Sequence, residues 1–306
     1  LRPPARAHIG IVAPSGIVNA EGLERAVARF RAMGHRVTVS GQARRQWRYF
    51  AGTDAQRASA LNAMLRRPDI DIVMAARGGY GMTRILDAID WTAVAASRQV
   101  IVGFSDFTAF GLAALARTGR VTFSGPMAAA DFGGSHPSAF MEQSFWPLLR
   151  STRHAAVEVE SAHRCRAQEI SGRIWGGNLS LLSHLAGTRW MPRIEGGILF
   201  VEDIAEEPYA VERMLFQLHH AGILQRQRAI LLGAFTDCRP RNALRYPYSM
   251  DEVAETLRGL VHVPVLGGFP FGHVADKMTI PLGARTQLRI DRGRYAIGFS
   301  GYLAAR

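Results

Sequence analysis

The chain of 306 residues carries 37 basic and 25 acidic side chains, a net charge of +12, with 48% hydrophobic and 20% charged residues. That composition describes a globular protein with ample core, and no apolar run approaches the ~18 residues of a membrane span. Two distant cysteines, Cys165 and Cys238, argue against a disulfide framework or a zinc cluster, and the scattered arginines lack the clustered patch that nucleic acid requires. Residues 1–4 lack the apolar core of a signal peptide, and the cysteine usage makes a reducing cytoplasm the expected location.

Residues 8–13 (H-I-G-I-V-A) read as a strand ending in the turn Pro14-Ser15-Gly16. Leu23, Ala26, Val27, Phe30 and Met33 recur at helical spacing over 21–33, closed by Gly34. Residues 35–39 form a second strand, and Asp54 is expected to cap a helix that stops at Pro68. A third strand, 70–75, leads into Arg77-Gly78-Gly79-Tyr80-Gly81 and a helix around Ile85 and Leu86. Strands four and five follow at 100–102 and 121–123. This alternation predicts an α/β domain with a doubly wound parallel sheet, whose ligands sit beyond the carboxyl ends of the strands. Both 77–81 and Ser105 fall there.

The stretch 100–110, V-I-V-G-F-S-D-F-T-A-F, places Ser105 on a sharp turn between a buried strand and a helix. Its Oγ would project from the sheet edge, with free backbone N–H groups nearby to hold an oxyanion. Phe107 breaks the G-x-S-x-G hydrolase pattern, and a helix-capping serine explains the same residues. The turn at 77–81 lacks the spacing of a phosphate loop. It could aim a backbone N–H from Gly78 or Gly79 at the serine, or be a plain turn.

A helix over 140–149 closes the first domain, 1–150, and the polar stretch 151–172 reads as a linker. The second domain, 173–306, opens with Trp175-Gly176-Gly177-Asn178 and a helix over 179–185. The apolar strand 196–201 ends in Glu202-Asp203, which suits either a site or a solvated strand end. A helix over 211–221 and strands at 229–234 and 263–266 follow. His273 then stands on a Gly-rich loop suited to a general base. The segment 278–301 reads as short strands with turns at Gly283 and Gly293.

Ten stretches in chain order resemble the LD-carboxypeptidases, a serine peptidase family that includes the microcin-C immunity peptidases. They are I-V-A-P-S-G (11–16), F-A-G-T-D (50–54), A-R-G-G-Y-G (76–81), G-F-S-D-F-T-A (103–109), T-F-S-G-P-M (122–127), W-G-G-N-L (175–179), I-L-F-V-E-D (198–203), P-Y-A-V-E-R-M-L (208–215), F-G-H (271–273) and I-P-L-G (280–283). The resemblance implies a triad of Ser105, Glu202 and His273, with the N–H groups of Asp106 and Gly79 as oxyanion hole. It implies an N-terminal α/β domain, a β-rich α/β C-terminal domain and an active site between them. It further implies release of terminal D-alanine from murein tetrapeptides in the cytoplasm by a homodimer, with no metal or other cofactor and no nucleic-acid or membrane partner. Arg77 and Gly78 are expected to anchor the substrate carboxylate, and Trp175 and Asn178 to line the pocket. Phe104, beside the serine, is expected to matter little. A microcin-type aminoacyl-adenylate substrate and a non-catalytic peptide-binding role are the alternatives.

Overall fold

Uninterrupted apolar runs, rather than alternating ones, build the first half of the chain, and they mark strands covered on both faces. The structure, a computed structural model, describes residues 2–153, 156–245 and 247–303, the side chains at 162 and 164 excepted. Strands β1 (His8–Val12), β2 (Arg36–Val39), β3 (Ile72–Ala75), β4 (Val100–Gly103) and β5 (Thr122–Ser124) pair in parallel in the order 2-1-3-4-5. Every residue of β1, β3 and β4 is buried. Helices α1 (Ala20–Ala32), α2 (Asp54–Leu65), α3 (Trp91–Ala96), α4 (Thr108–Thr118) and α5 (Ala139–Arg150) complete this half.

The helix starts follow from local hydrogen bonding. Asn19 caps α1 by accepting from Gly22 N at 2.7 Å. At α2 the expected cap moves back one residue: Thr53 is extended and forms a capping box with Gln56. Asp54 is instead the first helical residue, free to pair with Arg57 and Arg84. The helix expected around 85–86 is a 3-10 turn, Thr83–Ala88.

The second half forms a five-stranded sheet from β6 (Val157–Asn178), β7 (Gly197–Ile204), β8 (Gln227–Thr236), β9 (Val265–Leu266) and β11 (Arg285–Ser300), in the order 11-6-7-8-9. It is parallel except for the antiparallel pair of β11 and β6. Helices α6 (Leu179–Leu185), α7 (Pro208–His220) and α8 (Met250–Leu260) accompany it. The remaining strand, β10 (Ile280–Leu282), leaves this half and pairs antiparallel with β5 at the edge of the first sheet.

Two stretches differ from the sequence reading for one reason, the long pairing of β6 with β11. Most of the segment read as a linker, from Val157 onward, is strand. Its partner β11 runs unbroken through Gly293, and the irregularity expected there is a register shift about Arg292, a residue with φ 52°. One buried apolar cluster extends through both halves. Where they meet, a Cβ on Gly177 would lie 2.7 Å from the Thr108 side chain, so glycine lets β6 pass directly over the start of α4.

Candidate active site

The carboxyl ends of both sheets converge on Ser105. From the first sheet come the turn after β1 with Ser15, the loop after β3 with Gly78 and Gly79, and Ser105 after β4. From the second come Asn178 at the end of β6, Glu202 near the carboxyl end of β7 and His273 on the loop after β9.

Ser105 adopts φ 62°, a left-handed conformation that costs a non-glycine residue energy and persists only where surroundings hold it. Its side chain caps no helix; its Oγ meets His273 Nε2 at 3.0 Å. His273 Nδ1 lies 2.8 Å from Glu202 Oε2. An ionised carboxylate only accepts, so Nδ1 carries the proton and Nε2 is left to accept from the serine hydroxyl.

Gly78 is packed against this serine. A Cβ there would stand 2.7 Å from Ser105 Cβ, 2.9 Å from its Oγ and 3.3 Å from the Asp106 backbone nitrogen. Any side chain at 78 would fill the space beside the hydroxyl. Gly79 follows with φ 101°, a conformation open to glycine, and the Tyr49 hydroxyl would lie 3.0 Å from a Cβ at this position.

Glu202 is fully buried, and desolvation raises its carboxyl pKa against the opposing pull of the His273 hydrogen bond. Its other oxygen accepts from Asn178 Nδ2 at 3.3 Å. The same amide donates to Asp203 Oδ1 at 2.9 Å, while Asn178 Oδ1 accepts from Leu181 N at the start of α6. Both amide hydrogens and the carbonyl are thereby engaged. Asn178 braces the acid, and each of its polar side-chain atoms already has a protein partner, which leaves only the second lone pair of Oδ1 for the pocket-lining role expected of it.

Trp175 also departs from that expectation. It is 1% exposed, and its indole N–H donates to Gln227 Oε1 at 2.8 Å, so it fills the core between strands. Arg77 is half-buried and donates to the Ile17 carbonyl at 2.6 Å, bracing the turn after β1.

The Asp106 carboxylate points away from the reaction space. It is 1% exposed, and its Oδ2 accepts from Ser15 Oγ at 2.6 Å and from Met82 N at 2.7 Å. Burial raises its pKa, more than these donors and Arg57 lower it. Fully buried Arg57 donates to the carbonyls of Pro14 and Gly81. Three strand-end loops are thus tied together behind the serine turn. Among the described residues, no group of three or more His, Cys, Asp or Glu gathers to hold a metal ion.

Family models for the LD-carboxypeptidase N-terminal and C-terminal domains match residues 9–125 and 171–288. The murein tetrapeptide carboxypeptidase of Pseudomonas aeruginosa is 32% identical over 95% of this chain and 96% of its own length. The chain belongs to the LD-carboxypeptidase family. The solved muramoyltetrapeptide carboxypeptidase of Oxalobacter formigenes superposes on this LD-carboxypeptidase fold with a TM-score of 0.90, at 39% identity over 97% of this chain and all of the other. The microcin self-immunity protein MccF of Escherichia coli is 29% identical over 81% of this chain and 80% of its own length.

Sequence reasoning missed several residues around this family's site. Ser15 stands in one of the matched motifs but carried no signal beyond a turn. Phe104, dismissed beside the serine, is 3% exposed and lies against His273 with ring centroids 4.5 Å apart. No local pattern announces that contact, because it joins residues 169 positions apart. Tyr49 and Tyr80, 48% and 49% exposed, flank buried Phe50 near the glycine turn.

Proposed function

We propose that this protein is a serine LD-carboxypeptidase that releases terminal D-alanine from murein tetrapeptide, cutting after the L-centre of diaminopimelate. The hydrogen-bonded chain from Ser105 through His273 to Glu202 carries this reading, at 3.0 Å and 2.8 Å. The murein tetrapeptide carboxypeptidase relatives support the choice of substrate. In this reading His273 takes the hydroxyl proton as Oγ attacks the scissile carbonyl, then delivers it to the leaving amine. Glu202 orients the ring and stabilises its charged form, and the N–H groups of Gly79 and Asp106 receive the oxyanion. The setting is cytoplasmic cell-wall recycling by a homodimer, organised as an N-terminal nucleophile domain and a C-terminal domain bearing acid and base. No helix among the described residues is long and apolar enough to cross a membrane.

The test is D-alanine release from purified disaccharide-free tetrapeptide by wild type and Ser105→Ala. Release by wild type alone supports both reaction and nucleophile, whereas release by both removes Ser105 from its role. A folded wild type that releases none would transfer the same triad to an aminoacyl-adenylate analogue, the ligand class suggested by MccF solved with aspartyl sulfamoyl adenosine.

A further inference from the structure

Lys277 is the only lysine among the chain's 37 basic residues. In a sequence that otherwise always uses arginine, a retained lysine marks a place that suits a compact ammonium and not a planar fork. It is 3% exposed, and its Nζ pairs with a carboxylate oxygen of Asp131. The other Asp131 oxygen accepts from Met127 N at 2.8 Å. Asp131 lies in a single π-helical turn, Ala128–Phe132, a conformation that is rare and often found at functional sites.

The neighbours of this pair lead directly to the base. Lys277 Nζ lies 5.1 Å from the centroid of the Phe104 ring, and Phe104 in turn lies against His273. Lys277 also shares a loop with His273, between β9 and β10. That loop leaves the second half and, besides the His273–Ser105 contact, fastens to the first at three points. Besides the Lys277–Asp131 pair, Asp276 accepts from Ser138 Oγ at 2.5 Å, and Thr279 N donates to Ser144 Oγ at 2.9 Å. The pair is the only one of the three with full charge on both sides, and its side chains are 4% and 11% exposed. A charged hydrogen bond so shielded from water is stronger and more directional than the other two.

We propose that Lys277 and Asp131 are positioning residues, a buried clamp that holds the His273 loop against the first half and so sets the imidazole on Ser105. The proposal rests on the reading of His273 as base. The ammonium contributes twice, by closing the ion pair and by seating the Phe104 ring against the imidazole.

The experiment compares wild type with Lys277→Met, Asp131→Asn, the double variant and Lys277→Arg. Three quantities are read: Tm, the rate at which a fluorophosphonate labels Ser105, and kcat and KM for D-alanine release. Labelling joins phosphorus to Oγ with loss of fluoride, the hydroxyl proton passing to His273, and needs no peptide. Each single neutral variant strands a buried charge, so both should lose Tm, and the double variant should recover most of it. The clamp predicts that the recovered double variant still labels about tenfold or more slowly, with kcat reduced in step and KM within about threefold. Lys277→Arg, which keeps the charge, should also label slowly because the larger head displaces Phe104. Recovery of labelling together with Tm in the double variant would reduce the pair to a fold support and overturn the proposal, as would wild-type labelling by Lys277→Arg. If wild type labels but releases no D-alanine, the tetrapeptide reading fails while the labelling comparison still decides the clamp.

Discussion

The ring of Phe104 and the imidazole of His273 lie with centroids 4.5 Å apart and planes at 50°, so the residue preceding the serine packs on the ring that contacts it. The chain thereby fixes His273 by a hydrogen bond at each nitrogen and by an aromatic wall on a face. Aromatic pairs of this kind contribute about 0.5–1.5 kcal/mol beyond area burial. Phe104→Leu, which keeps most of the buried volume, is expected to lower kcat about two- to tenfold with KM nearly unchanged. Steady-state D-alanine release measures both constants; a rise in KM at constant kcat would contradict the positioning role.

Ser105 holds a left-handed backbone. Ser105→Ala and Ser105→Gly both remove the hydroxyl and its hydrogen bond, but only glycine relieves the strain. Glycine elsewhere usually costs about 0.5–1 kcal/mol relative to alanine. Here Ser105→Gly is expected to melt no lower than Ser105→Ala, both being inactive. Paired thermal melts check it, and an ordinary glycine penalty would show that the turn is unstrained.

Asn178 donates to Glu202 and Asp203 together, and its removal would leave two adjacent buried carboxylates short of donors. Asn178→Ala is expected to cost about 1–3 kcal/mol of stability. It should lower kcat and leave KM close to wild type, since the amide faces the acid and not the substrate. A selective rise in KM would return Asn178 to the pocket wall.

Burial holds the Glu202 pKa above its ordinary value of 4.5. A group whose folded-state pKa is raised favours the fold at low pH, and that contribution is lost as pH rises through the folded value. Glu202→Gln abolishes this titration while retaining an acceptor for His273 Nδ1. Relative to wild type, its Tm should therefore improve as pH rises from about 4 toward neutrality. Its kcat should fall about 10⁴-fold, the loss seen when a triad acid becomes an amide and the ring tautomer is no longer enforced. Melts across that pH range, with activity at neutral pH, test both statements; a pH-independent Tm difference would contradict the raised pKa.

The first sheet was legible because each of its parallel strands is a short apolar run between turn residues, a pattern contained within the strand itself. Ser105, Glu202 and His273 each close or follow such a run, which made them candidates beside blander readings; only the family resemblance joined them into a triad. What escaped was pairing across distance. β6 between 157 and 169 is polar, with most of its described side chains exposed or half-exposed, and only its antiparallel partner, 120 to 140 residues onward, makes it a strand. Trp175 looked like a pocket residue because it stands beside the motif glycines. Alternation along a strand sends neighbouring side chains to opposite faces, and its face is the core.

Strand β10 gives the fold a further property. Residues 280–282 come from the far end of the chain, yet they complete the sheet begun by residues 8–12. The two halves are therefore laced together and do not merely touch. A polypeptide cut after α5 would retain the nucleophile but leave the edge of β5 bare, an open ladder inviting the strand of another molecule. During synthesis Ser105 is made early, whereas His273 and strand β10, which anchors its loop, follow more than 160 residues later. The contact between Ser105 and His273 can therefore form only once both halves of the chain are made.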